Sequence, residues 1–302
     1  MSAQPALDVE RLLSGESGIV TGRRARSRAR VADVLDDAAL WARLVPPRLT
    51  RAARAAEPGG PVLVLGLYSG ELAQLAARTV EELGSARRRV SFALGALDDP
   101  LPALAPHTRA EGLRGRGKFE NLNFLLERGT ERAQASEAEW VLVVDDDVEL
   151  PSGFLDGALF LAERFGFQLA QPALRHTSHA AWAVGRRARG LVARLVRMVE
   201  IGPLTIFHRS VVPALLPFPP LRMGWGLDLH WGALALERGW RLGILDAVPI
   251  RHEARVTASG YDRAAAVEEL RGFLSGRPHL ERDQALTVVE RYRSWKFSTG
   301  RV

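Results

Sequence analysis

The sequence predicts an α/β protein in which a mostly parallel β-sheet is flanked by helices. Continuous apolar runs at residues 61–68 and 140–144 are typical of strands that are buried on both faces of a sheet. Segments with apolar residues at helical spacing alternate with such runs along the chain. The strand–helix–strand order over residues 61–97 also indicates a parallel pair joined by a right-handed crossover.

The segment before the first predicted strand is an extension rich in alanine and arginine. Apolar spacing predicts a helix near Val31–Leu44, and Pro46 and Pro47 are expected to end it. The EPGG stretch at residues 57–60 predicts a turn and a domain boundary. We therefore expect an N-terminal helical and basic extension (1–60), an α/β domain (61–255) and a peripheral C-terminal helical extension (256–302).

The elements of the α/β domain are predicted from apolar runs and from apolar periodicity. The runs predict strands at residues 61–68, 89–97, 140–144, 167–174 and 241–252, and a strand followed by a turn over residues 203–212. The periodicity predicts helices at residues 72–84, 118–129, 152–166 and 226–239. Ser69 is a candidate cap for the first helix, Gly84 is its expected end, and Gly129 is the expected end of the second. Residues 183–199 are basic and give no clear prediction.

The composition excludes several protein classes. With 47% hydrophobic and 25% charged residues, the 302-residue chain is typical of a soluble globular protein. No apolar run has the length of a membrane span, and the N-terminus lacks the apolar core of a signal peptide. The absence of cysteine excludes disulfides and thiolate metal sites. These observations favour a cytoplasmic protein.

The formal net charge of +6 favours an anionic partner, which can be a substrate or a surface. The basic residues cluster in GRRARSRARV at residues 22–31, a stretch without the aromatic side chains of a nucleic-acid stacking surface. We expect no nucleic-acid partner. The cluster is either a solvated helix or an arm for peripheral contact with an anionic membrane surface.

Three adjacent aspartates, Asp145, Asp146 and Asp147, directly follow the apolar run of the third predicted strand. Like charges this close repel, so the triplet is either a solvated turn or the site of a cation. In open α/β sheets, ligands bind beyond the carboxyl ends of strands, which favours the cation. The D-x-D pair can hold Mg²⁺ or Mn²⁺ through carboxylate oxygens, with substrate phosphates as further ligands. A P-loop motif is absent, and Glu149 argues against a haloacid-dehalogenase phosphatase.

Four motifs in order resemble glycosyltransferases of the GT-A fold, family 2 type. VLVVDDDVELP resembles the strand and D-x-D metal motif, and GKFENLN resembles a helix start in which Lys118 and Asn123 match the lysine and asparagine. GWGLDLHW resembles the segment that contains the catalytic acid, at Asp228. In IRHE, His252 falls on the histidine that often completes the metal site.

The resemblance implies a GT-A, Rossmann-like fold and a metal-dependent transferase that uses a nucleotide-diphosphate sugar, such as a UDP- or GDP-sugar. It implies that Mn²⁺ or Mg²⁺ binds Asp145, Asp147 and His252, and that Asp228 is the general base of an inverting single displacement. The acceptor is unknown. The residues expected to contact the nucleotide sugar are Tyr68, Asp98, Lys118, Asn123, Asp145 and Asp146.

Two departures from the family pattern keep alternatives open. Leu227 replaces the glutamate that usually precedes the catalytic aspartate, and LYSGE follows the first strand where P-x-Y-N is usual. A retaining transferase, a sugar nucleotidyltransferase and a non-catalytic nucleotide-sugar-binding module are the alternatives. Asp228 can also be a plain helix cap, and His252 an ordinary residue at a strand end.

Overall fold

In the computed structural model, residues 9–13, 20, 22–127, 134–253 and 262–296 are described. The expected helix end at Gly129 lies outside these residues. The strands are β1 (Val62–Tyr68), β2 (Val90–Ala96), β3 (Thr108–Ala110), β4 (Trp140–Val144), β5 (Val148–Glu149), β6 (Leu169–Leu174), β7 (Ala193–Val196), β8 (Leu204–His208), β9 (Leu242–His252) and β10 (Val288–Tyr292).

One sheet connects these strands in the order β10-β7-β9-β6-β8-β4-β1-β2-β3, and β5 pairs with β9. The neighbours β3, β2, β1 and β4 are parallel, as are β6 and β9. β8 is antiparallel to both β4 and β6, and β7 is antiparallel to both β9 and β10. Only β8 and β7 therefore oppose the common direction of this strand path, which confirms the predicted mostly parallel α/β sheet.

Strand β4 shows that the sheet is buried on both faces. Trp140, Leu142 and Val144 belong to the hydrophobic cluster on one side of the sheet. Val141 and Val143 belong to the cluster on the other side. A strand with two buried faces must be apolar at consecutive positions, which explains the continuous run WVLVV. Its carboxyl end is also the point where the three aspartates begin.

The helices cover the faces and edges of the sheet. The α-helices span Val9–Leu12, Arg23–Trp41, Val45–Ala55, Ala73–Gly84, Lys118–Leu126, Phe154–Phe165, Val212–Leu215, Leu227–Arg238, Arg263–Leu274 and Arg282–Ala285. Short 3₁₀ turns lie at Ala105–His107 and Ala183–Gly185. No helix within the described ranges is both long and apolar enough to cross a bilayer.

Two local predictions about helix ends are wrong. Pro46 and Pro47 do not end a helix; they lie in the first turn of the helix Val45–Ala55, where proline is tolerated because the first N–H groups have no intrahelical partner. Ser69 does not cap the next helix, which begins at Ala73. Its backbone N–H and hydroxyl both donate to Asp146.

The N-terminal helix Arg23–Trp41 is fastened to the loop that follows β6. Asp36 lies 2.9 Å from His176 Nε2 and 2.7 Å from Arg189 Nε. Asp37 lies 3.0 Å from Arg175 and 2.6 Å from Arg187. Carboxylates on one helix thus neutralise basic residues of one loop.

The C-terminal segment is not purely helical. After its helices, Val288–Tyr292 forms β10, which pairs with β7 at one edge of the sheet. The segment expected to be a peripheral extension therefore contributes a strand. Its pattern VVERY has no alternation of apolar and polar residues that would mark a half-buried strand.

Candidate active site

The fold brings Asp145, Asp147 and His252 together. The aspartates follow β4, and His252 is the last residue of β9. The short strand β5 pairs with the end of β9, with Val148 opposite His252. That pairing folds the aspartate turn back onto the histidine. One ligand atom from each of the three residues lies within 4.8 Å of the others.

Asp147 and His252 are in direct contact, with 3.0 Å between Oδ2 and Nε2. Burial of His252 acts to lower its pKa, but the hydrogen bond to Asp147 and the charges of Asp147 and Asp145 raise it above its ordinary value. The imidazole is therefore placed where positive charge is favoured. A divalent cation at the same position would satisfy both carboxylates and leave the ring neutral as a ligand.

Lys118 already supplies one positive charge to this cluster. Its Nζ lies 2.6 Å from Asp145 Oδ1, and it is the first residue of the helix Lys118–Leu126. Two carboxylates and one imidazole form a donor set that fits Mn²⁺ or Mg²⁺, both of which accept oxygen and nitrogen ligands. The three ligand residues and Lys118 of the sequence prediction thus converge on one position.

Asp146 points away from this cluster. Its Oδ2 accepts hydrogen bonds from the backbone N–H and the hydroxyl of Ser69, at 2.8 and 3.0 Å. Burial raises its pKa to about 6, against the lowering effect of Ser69 and with a further increase from Asp145 and Asp147. The middle aspartate thus ties the β4 turn to the end of β1.

Asp228 is the second residue of the helix Leu227–Arg238, and only 7% of its surface is exposed. Trp182 Nε1–H donates to Oδ2 at 2.8 Å, and the backbone N–H of Leu229 donates to Oδ1 at 2.9 Å. Burial nevertheless raises the pKa of Asp228 to about 6, since the two donors offset only part of the desolvation.

A buried carboxyl group that the sequence analysis missed, Glu200, interacts electrostatically with both Asp228 and His252. It is 4% exposed, and burial raises its pKa to about 8, which makes it neutral at physiological pH. The backbone N–H of Ala181 donates to its Oε2 at 3.2 Å, while Oε1 has no hydrogen-bond partner among the described residues. The only sequence signal is an acid in an otherwise apolar stretch, MVEIGPL.

Three other predicted contact residues lie apart from the cluster. Tyr68 is 2% exposed, and its hydroxyl shares a hydrogen bond of 2.7 Å with Thr108. The Nδ2–H group of Asn123 donates to the carbonyl oxygen of Phe218, and its Oδ1 accepts from the backbone N–H of Phe218, each at 2.8 Å. The Asn123 side chain therefore fixes that segment. Asp98 lies at the surface in an ion pair with Arg114, which lowers its pKa.

Neither a protein-family model nor a curated protein sequence matches the chain. A solved structure of GalNAc-T7 with UDP, GalNAc and Mn²⁺ is 11% identical over 65% of this chain and 43% of that chain, with a TM-score of 0.45. S. aureus TarS 1-349 in complex with UDP-GlcNAc is 12% identical over 74% and 69% of the two chains, with a TM-score of 0.49.

The mannosyltransferase PcManGT from Pyrobaculum calidifontis, in complex with GDP-Man and Mn²⁺, is 16% identical over 71% of this chain and 65% of that chain, with a TM-score of 0.41. This chain spans less than half the length of the GalNAc-T7 structure. These three structures are of glycosyltransferases with the GT-A fold.

Proposed function

We propose that this protein transfers a sugar from a nucleotide-diphosphate sugar to an acceptor hydroxyl, with the help of Mn²⁺ or Mg²⁺. The observation that supports this most is the convergence of Asp145, Asp147 and His252 at the carboxyl ends of two strands. Four motifs in glycosyltransferase order, of which these residues form part, support the same assignment. The cytoplasmic location favoured by the composition stays a prediction.

In this proposal, Asp145, Asp147 and His252 would hold the cation, and its charge would offset the negative charge of the diphosphate leaving group. Lys118 lies beside Asp145 and adds a positive charge on the same side of the cluster. The side chains therefore bind and orient a phosphate-bearing donor, and they place its leaving group against fixed positive charge.

Asp228 takes the proton of the acceptor hydroxyl. Its pKa of about 6 leaves most of the carboxylate ionised at neutral pH while keeping it more basic than an exposed aspartate. The hydrogen bond from Trp182 fixes its orientation. One carboxylate that acts as a base, with the leaving group held elsewhere, is the arrangement of a single displacement with inversion.

The experiment that tests the proposal is a binding screen of UDP- and GDP-sugars, carried out with Mn²⁺, with Mg²⁺ and with a chelator. We expect at least one nucleotide sugar to bind in a metal-dependent way. Its incubation with candidate acceptors should then release the nucleoside diphosphate. Metal-dependent binding without sugar transfer, but with formation of a nucleoside triphosphate and a sugar 1-phosphate when pyrophosphate is added, would instead indicate a nucleotidyltransferase, and binding without turnover a non-catalytic module.

A further inference from the structure

The helix Arg23–Trp41 presents an exposed apolar face to solvent. Val31 is 57% exposed, Val34 65%, Leu35 46% and Trp41 57%. The other exposed large hydrophobic side chains among the described residues are Leu44 just after this helix and Leu236 and Val289 elsewhere. A cluster of exposed apolar side chains, unlike isolated ones, marks a surface that contacts another apolar phase.

The inner face of this helix is already occupied. Ala29, Asp33, Asp36 and Leu40 are buried and recur at helical spacing, so they form the side that packs on the protein. Asp33 adds to that packing by accepting hydrogen bonds from Thr177. The apolar face lies on the opposite side, which leaves it available to a partner.

The same outer face begins with arginines. Arg24 precedes Val31 by two turns, and Arg28 precedes Leu35 by two turns, so each arginine lies in line with an apolar residue. Arg23 is also exposed at the start of the helix. The first half of the face is therefore cationic and the second half is apolar.

We infer that this outer face docks the protein on a bilayer that contains anionic lipids. Guanidinium groups at one end of the face would bind lipid phosphates, and the apolar side chains would enter the boundary between headgroups and acyl chains. Charge complementarity favours this occupant over a second copy of the chain, because a parallel pair of such faces would bring their arginine clusters together and an antiparallel pair would place arginines against apolar side chains. The inference does not depend on the proposed transfer reaction.

The docking face adjoins the candidate active site. A cavity of about 870 Å³ is lined by Val34 of the apolar face, by Arg26 and Arg30 of the same helix, and by His179 and His252. Val34 therefore belongs both to the docking face and to the wall of this cavity. A protein docked through this face would hold the cavity next to the membrane surface.

The test is flotation of the full chain with vesicles of phosphatidylcholine alone, or of phosphatidylcholine and phosphatidylglycerol in equal parts. We expect binding only to the anionic vesicles, and weaker binding at high salt. A variant with Val31, Val34 and Leu35 replaced by Ser should bind about tenfold or more weakly. The matched control replaces Leu236 and Val289, exposed apolar residues outside the face, and should bind like the wild type.

The arginines are tested by a variant with Arg23, Arg24 and Arg28 replaced by Gln. Its affinity for the anionic vesicles should fall about fivefold for each charge removed. A control with the same net charge replaces Arg78, Arg263 and Arg291, which are exposed on other surfaces.

Two results would overturn the inference. One is vesicle binding that the Val31/Val34/Leu35 variant leaves unchanged. The other is absence of binding to the anionic vesicles; a wild-type dimer that the same variant dissociates would then assign the face to a second copy of the chain. Melting temperatures near the wild-type value would show that the variants are folded, as expected for exposed positions.

Discussion

Trp182 and Asp228 are joined by a hydrogen bond in which the indole Nε1–H donates to the carboxylate over 2.8 Å. The two residues come from different elements, since Trp182 belongs to the connection after β6 and Asp228 to the helix Leu227–Arg238. The donor favours the ionised form of the acid that we propose as the base. A residue of one loop therefore contributes to the acidity of a group in a neighbouring helix, against the larger effect of burial.

The first prediction concerns that hydrogen bond. The base must be ionised to act, and its pKa is about 6, so kcat/KM should rise with pH through about pH 6. Trp182→Phe removes the donor, raises the pKa of Asp228 further and should move this limb to higher pH. Pre-steady-state or initial rates over pH 5 to about 9 would measure the shift. If the rise of kcat/KM in Trp182→Phe occurred at the same or at lower pH than in the wild type, the assignment of Asp228 as the base would be contradicted. Trp225→Phe is the matched control.

The second prediction concerns Asp228 itself. Asp228→Asn keeps the size of the side chain and an oxygen for Trp182, but it cannot accept a proton. Transfer should fall roughly 10²–10⁴-fold, while donor affinity and melting temperature stay close to wild type. The sugar in the wild-type product should have the opposite anomeric configuration from the donor. Asp262→Asn, at a helix cap outside the site, is the control. Near-normal turnover in the folded Asp228→Asn protein would exclude this residue as the base, and retained configuration would exclude a single displacement.

The third prediction concerns the metal. UDP or GDP should bind the wild type more tightly with Mn²⁺ or Mg²⁺ than with a chelator, because the cation joins the diphosphate to the carboxylates. Asp147→Ala removes one ligand and should abolish that difference in isothermal titration calorimetry. Glu149→Ala removes an exposed acid that pairs with Arg251, and it should leave the difference intact. If the cation still strengthens nucleotide binding in Asp147→Ala, the assignment of one cation to Asp145, Asp147 and His252 is wrong.

The fourth prediction concerns Glu200 and stability. Its pKa is raised from 4.5 to about 8, so between these values the folded protein holds a proton that the unfolded chain releases. The stabilisation that comes from the protonated Glu200 is complete below about pH 4.5 and is lost as pH rises through about 8. Over this range the free energy of unfolding falls by up to about 1.4 kcal/mol per pH unit. Glu200→Gln should therefore flatten the decline of melting temperature with pH. Glu149→Gln is the control. If melting temperature declined with pH as steeply in Glu200→Gln as in Glu149→Gln, Glu200 would not be the source of the decline.

The fifth prediction concerns the attachment of the N-terminal helix. Asp36 is 1% exposed and binds both His176 and Arg189. Asp36→Asn removes its charge, so the free energy of unfolding should fall by about 1–3 kcal/mol. Urea denaturation would measure the change. The exposed Asp99→Asn is the control and should have little effect; an equally small effect of Asp36→Asn would mean that the ion pairs contribute nothing net.

The convergence of Asp145, Asp147 and His252 was predictable from the sequence because each of them directly follows or ends an apolar run. Asp145 and Asp147 follow β4, and His252 ends β9, so a parallel sheet brings their positions to the same edge. The apolar runs alone were enough to predict these strands.

Other parts depend on contacts between distant residues, and the sequence shows no trace of them. Strand β7 lies in a basic stretch that gave no clear prediction, and Arg194 is buried there because it pairs with the fully buried Asp246 of β9 at 2.9 Å. Trp182 and Glu200 were missed for a similar reason, since neither lies in a local motif. Asn123 matches a family motif, but here its amide fixes the backbone of Phe218.

The pairing between the helix Arg23–Trp41 and the loop after β6 has an evolutionary consequence. Two aspartates of the helix bind four side chains of the loop, namely those of Arg175, His176, Arg187 and Arg189. A relative that lost the helix would leave these charges uncompensated, so selection should remove them as well. We expect acidic positions 36 and 37 to covary with positions 175, 176, 187 and 189, and the four basic positions to report the presence of the helix even in relatives whose N-terminal sequences have diverged.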